Sequence, residues 1–196
     1  MPKKPALRLS QDPEADALLS RDPLALLIGM LLDQQVPMEW AFAAPRTLVE
    51  RLGHDLDSAE LASYDEDALV ALFTGPPALH RFPGSMAKRV QAMCAHLVAE
   101  HGGDAVAVWQ GAKTGDELVA RLKALPGFGD AKARIFGALL GKQFGVRPRG
   151  WREATEPYGD DGVARSVADI TGPDSLQEVR AHKQRMKAAA KAARES

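Results

Sequence analysis

Leu125-Pro126-Gly127-Phe128-Gly129 is the stretch whose reading decides the fold. Ahead of it, Thr114 to Ala124 carries Leu118 and Leu122 at helical spacing, a face that Leu125 continues. Behind it, Asp130 to Phe144 repeats the pattern with Ile135, Ala138 and Leu139. Pro126 lacks an N–H and its ring clashes one turn back, so the first helix stops there. Gly127 and Gly129 open backbone angles closed to other residues and leave no side chain over the turn. Asp130 falls where an N-cap or first-turn acid belongs. The sum is a tight helical hairpin whose second helix starts with several outward N–H groups, an arrangement suited to a phosphate. The same string also serves an ordinary helix pair that uses glycine as a cap.

Working outward, the chain reads as all-α. Asp22-Pro23 starts a helix with a capping acid and a first-position proline, and LALLIGMLLDQQ, which follows, is apolar nearly all round, as in a helix buried at a bundle centre. Pro37-Met38-Glu39-Trp40 opens another helix to about Leu52, with Pro45 expected to kink or split it. Ser58 to Ala62 and Asp65 to Phe73 read as short helices, and Ser85 caps a long one to about His101. Its buried stripe is Met86, Val90, Met93, Cys94, Leu97 and Val98. Val146 to Asp161 is irregular, Gly162 to Ile170 suits a short helix, and Pro173 starts a last helix. No strand or tandem repeat stands out. The organisation expected is a loose arm over 1–12 bearing Lys3, Lys4 and Arg8, a helical domain over 13–172, and a basic helix or tail over 173–196.

Composition narrows the function classes. The chain has 196 residues, 45% of them hydrophobic, which supplies one real core. Cys94 is the single cysteine, so no intrachain disulfide and no cysteine-based zinc or iron–sulfur site can form, and no cofactor is expected. The N-terminal stretch has no apolar segment of the secretory type, and no run is long enough to span a bilayer. A cytoplasmic, nucleoid-associated protein is expected. Net charge is −1, yet it is unevenly spread: Asp55, Asp57, Glu60, Asp65, Glu66 and Asp67 are acidic, while Arg180, Lys183, Arg185, Lys187, Lys191 and Arg194 form a basic tail.

LPGFGDAKARIFGALLGKQFG resembles the helix-hairpin-helix of the endonuclease III and adenine-glycosylase superfamily of DNA repair enzymes. LLIGMLLDQQVPMEW resembles that family's buried helix and polar corner, and Arg81 to Arg89 resembles its turn into the long helix before the hairpin. The likeness runs from about Leu24 to about Gly172. It implies a helical glycosylase fold acting in base excision repair on double-stranded DNA with a damaged or mispaired base. In this likeness the amides at Gly127 and Gly129 grip a phosphate, and Gln35 fills the gap left by an extruded base. Extrusion is needed because the glycosidic bond is shielded inside the stack.

The resemblance also sets expectations about the chemistry. Members that cut the strand carry a lysine two positions after the second hairpin glycine, where this chain has Ala131. Lys132 comes one residue later, about 100° round the helix. It is the remaining lysine candidate, and the expectation is a hydrolase without lyase activity. Members without the lysine use water and an Asp that stabilises the developing oxocarbenium ion. Counting back from Thr171-Gly172, Asp161 matches that acid, with Asp160 as the alternative, if Arg147 to Tyr158 is an insertion. The two acids serve equally as a helix cap. Lys132 and Arg134 are candidates for phosphate contact or for a solvated helix face, and Arg147, Arg149, Trp151 and Arg152 for base stacking or simple loop packing. The alternative from another class is a non-catalytic protein that keeps the fold and recognises bent or damaged duplex.

Overall fold

The computed structural model describes residues 6–195. Within them the chain forms ten α-helices: α1 (Pro13–Arg21), α2 (Pro23–Leu32), α3 (Met38–Leu52), α4 (Ser58–Ser63), α5 (Glu66–Thr74), α6 (Pro83–His101), α7 (Gly115–Lys123), α8 (Asp130–Gln143), α9 (Trp151–Ala154) and α10 (Pro173–Glu195). No strand occurs among the described residues; Thr114 and Arg149 meet in one isolated bridge. The all-α expectation holds. No helix there is long and apolar enough to cross a membrane.

Helix α2 is the axis. Asp22 caps it by accepting from the N–H groups of Leu24 and Ala25, and every residue from Leu24 to Leu32 is buried. Helices α1 and α3 pack on it and on each other, α4 and α5 pack on α6, and α7, α8 and α9 form a third group. Helix α2 ends at Leu32, short of the glutamines, because Asp33 leaves helical angles (φ −72°, ψ 69°).

Several local expectations are corrected. Residues 6–12 are not a loose arm: Leu7 and Leu9 are buried, the Leu7 N–H donates to Ser20 Oγ (3.0 Å), and Ser10 bonds the Asp16 carboxylate (2.8 Å). Lys3 and Lys4 lie outside the described residues. Pro45 neither splits nor ends α3, which runs to Leu52 with the proline on its buried side. Helix α6 starts at Pro83, ahead of Ser85, and Val98 is exposed on it. Gly162 to Ile170 holds only a 3-10 turn, Val167–Asp169.

The hairpin is pressed onto the end of α2. At Gly127 the backbone is left-handed (φ +86°), and a Cβ there would overlap Leu31 Cδ1. Gly129 has ordinary extended angles (φ −81°, ψ −178°) and nothing within 4 Å of a Cβ position, so it is open rather than conformationally required. Gly127→Ala should therefore lower the free energy of unfolding by about 2–4 kcal/mol, from left-handed strain and overpacking together, while Gly129→Ala stays within about 0.5 kcal/mol. Chemical denaturation of the two variants checks the contrast.

Candidate nucleic-acid interface

Thr114 caps α7 by accepting from the Glu117 N–H (3.2 Å). The turn then folds back on itself: the Phe128 N–H donates to Leu125 O (3.0 Å), and the buried Phe128 ring meets Phe136 edge-on at 6.0 Å. That anchor fixes the turn from inside. Outside, α8 begins at Gly129 with no side chain capping it. Its first-turn N–H groups are left to solvent or an anion, with the positive end of the helix dipole behind them. Asp130 sits in the first turn as a partner of Lys123 (3.4 Å) and Arg134 (2.9 Å). Loss of water raises its carboxyl pKa, but these two cations outweigh that and hold it below its ordinary value.

Lys132 does not reach the solvent face on which phosphate contact was expected. Its Nζ turns inward and donates to Met30 O (2.5 Å), Asp33 O (3.2 Å) and Leu31 O (3.3 Å), closing the exposed carbonyl end of α2. The three ammonium hydrogens match three acceptors, and a cation suits the negative end of a helix. Burial pulls its pKa down to about 8, against the raising effect of Asp33. Arg134 also has partners other than phosphate, namely Asp130 and the Glu156 carbonyl (3.3 Å).

Beyond Asp33 the chain turns through Gln34 and Gln35. Gln34 is tied down: its Nε2 donates to Leu31 O (2.7 Å), and its Oε1 accepts from Arg89 (2.9 Å). His80 fixes the backbone here. Its Nδ1 accepts from the Phe82 N–H (3.0 Å), which leaves Nε2–H to donate to Gln34 O (2.9 Å). Gln35 is held left-handed (φ +58°) and exposed. No side-chain hydrogen bond ties it among the described residues, and it follows by four residues Leu31, on which Gly127 of the hairpin turn is seated.

A profile described as HhH-GPD superfamily base excision DNA repair protein matches residues 28–194. The chain belongs to the HhH-GPD superfamily. No curated protein and no solved structure matches it. The match spans the whole assembly just described, from α2 through the hairpin to α10.

In this HhH-GPD chain Asp161, the acid matched by resemblance, lies away from the turn. Asp161 has a side chain 74% exposed, pairs with Arg152 (2.7 Å), and lies in a groove with Lys142 and Gln143 at the far end of α8. Twelve residues of α8 separate Lys142 from Asp130, about 18 Å at helical rise. Asp160 pairs with Arg165 (3.0 Å). The acid that is built into this loop is Asp169, which sequence reading missed. It accepts from the N–H groups of Arg165 (2.9 Å) and Ser166 (3.2 Å) and pairs with Lys142 (2.5 Å) with only 6% of its side chain exposed. Ser166 and Asp169 form a capping box, a spacing visible in the sequence. Trp151 is buried, its ring lying where a Cβ on Gly141 would be, with Arg152 4.5 Å above its centroid. It packs the loop and is not offered to a base.

Lys132 gives this geometry a pH signature. The folded chain releases the Lys132 proton near pH 8, whereas a lysine at its ordinary value releases it near 10.5. Between these values the unfolded chain binds more protons, so stability should rise with pH in the wild type relative to Lys132→Met. Denaturant midpoints taken across that window check the sign; parallel profiles would show that the amine is not buried as described.

Proposed function

We propose that the protein removes a damaged or mispaired base from duplex DNA by hydrolysing its N-glycosidic bond, without cutting the strand. The observation that carries this reading is the rigid pairing of two features. The uncapped start of α8, open above Gly129, and the exposed Gln35 are both tied to the end of α2, because Gly127 seats directly on Leu31 and Gln35 follows Leu31 by four residues. The turn at Gly127 and Gly129 holds a phosphate on one side of the target nucleotide, and Gln35 enters the stack where the base has left. Both serve an enzyme that must take a base out of a duplex. Membership in a base excision repair superfamily supports the same reading.

Water is the nucleophile in this scheme. Ala131 stands at the position of the strand-cutting lysine, and the Lys132 ammonium is engaged with the α2 carbonyls. Single-turnover excision across duplexes with uracil, oxidised bases, alkylated adenine or mismatched adenine tests this. Strand breaks should appear only after alkali. Breaks without alkali would show a lysine nucleophile and overturn the hydrolytic scheme.

The outward positions of Asp160 and Asp161 favour a second reading, a non-catalytic protein that recognises distorted duplex. Duplex binding with no excision on any substrate would support it. Both readings require the clamp. Gly129→Ala should fold normally yet bind duplex about tenfold more weakly, a loss of about 1.4 kcal/mol, in a fluorescence-anisotropy titration.

A further inference from the structure

We infer that Asp33 is the carboxylate that faces C1′ of the extruded nucleotide. The inference rests on the base-excision reading above and assigns its acid to the C-cap of α2. Three placements support it. Asp33 lies two residues beyond Leu31, on which the phosphate-clamping turn is seated, and two before Gln35, which enters the stack. The sugar of a nucleotide held between clamp and wedge comes over that interval. Asp33 is also half-buried in a polar junction where α8 and α10 bring Lys132 and Lys183 to α2. Finally, no hydrogen bond or ion pair within 4 Å ties its carboxylate among the described residues. Of the acids near this junction, Glu39 has one carboxylate oxygen on Arg180 and the other buried without a partner, and Asp130 is engaged with Lys123 and Arg134.

The surroundings suit a developing cation. The last carbonyls of α2 give a negative pole that already holds the Lys132 ammonium. Burial raises the Asp33 pKa, while Lys183 and Lys132 oppose that shift. Lys183 is exposed on α10, and among the described residues its one hydrogen bond is to Met38 Sδ (3.2 Å), which leaves it able to turn toward a phosphate. In the reaction the C1′–N bond breaks with its electron pair leaving on the base, and the sugar becomes oxocarbenium-like beside Asp33. Water forms the new C1′–O bond, and its proton passes to Asp33 and then to the departed base.

The test does not require knowing the base. Duplexes carry, in place of the target nucleotide, either a pyrrolidinium abasic analogue, cationic where C1′ would be, or a neutral tetrahydrofuran analogue. Affinities are measured for the wild type, Asp33→Asn and Asp161→Asn, with Asp33→Ser as a second variant that keeps a polar side chain without the charge. The wild type should prefer the cationic duplex by about tenfold or more, as for a transition-state mimic. Asp33→Asn and Asp33→Ser should cut the preference to within about twofold, while Asp161→Asn keeps it. A preference retained without the Asp33 carboxylate, or lost with Asp161→Asn, overturns the inference. Tight wild-type binding to both duplexes alike also overturns it and leaves the DNA reading standing. No binding to either brings down the base-excision reading itself.

Discussion

The contact between the hairpin turn and the end of α2 governs the rest of the molecule. One helix reaches its C-terminus with carbonyls whose helical partners are incomplete, under the turn seated on it. Unpaired buried carbonyls are costly. Lys132 meets that need from the second hairpin helix, and Gly127 allows the approach by having no side chain to collide with Leu31. A single junction therefore joins an apolar contact, a helix cap and a buried cation. Because the turn and the Asp33-Gln34-Gln35 corner hang from the same few atoms, their relative position is set by packing and not by a loop. Close positioning of that kind is what a site acting on an extruded nucleotide requires.

The hairpin is braced from behind as well. Glycines on α7 and α8 let the segment after α8 come very close: Gly115 against Gly150 and Trp151, Gly137 against Thr155, Gly141 against the Trp151 ring. Arg147 adds a bond to Gly141 O (2.8 Å), and Thr155 is fully buried. The segment from Arg147 to Tyr158 thus works as a clamp on the back of the hairpin. Tight packing on one side of α8 and an open, uncapped N-terminus on the other divide the element into a structural half and a half left for a ligand.

What was legible in the sequence was local. Asp22-Pro23, the run of apolar residues after it, and Leu125 to Gly129 each carry their structure within a few residues, and they proved enough for the fold class. What was not legible depends on partners far away in the chain. Lys132 reads as a first-turn cation for phosphate until α2, about a hundred residues earlier, supplies carbonyls to draw it inward. Leu7 and Leu9 sit in a polar, proline-flanked segment whose neighbours gave no helical period, so their burial was invisible. Asp161 was reached by counting across an insertion, and the count cannot show that Asp169, behind Ser166, is the acid that the loop buries. Pro45 misled for the opposite reason: the local rule is sound, but packing on α1, α2 and α5 holds α3 together despite the lost hydrogen bond.

Charge follows the same lesson. A net charge of −1 would exclude nothing and suggest nothing, since a nucleic-acid site needs local potential, not total charge. Acidic side chains gather on α4, α5 and the loops before them, and Lys88 of α6 is paired there with Glu66 (2.8 Å). Cations gather at the other side of the α2 junction: Arg89 at Gln34, Lys132 beneath, and Arg180, Lys183 and Lys187 along a groove with Val36 and Pro37. One of these, Arg180, is matched by Glu39, and Lys132 is turned inward, so the positive potential left for a polyanion comes chiefly from Arg89, Lys183, Lys187 and the amides of α8. That potential surrounds one half-buried carboxylate at Asp33. A cationic rim attracts phosphate, whereas an acid inside it favours positive charge; the two demands conflict unless they are separated in depth. The fold provides that separation, since the acid sits at the half-buried end of α2 while the rim comes from α6, α10 and the open start of α8.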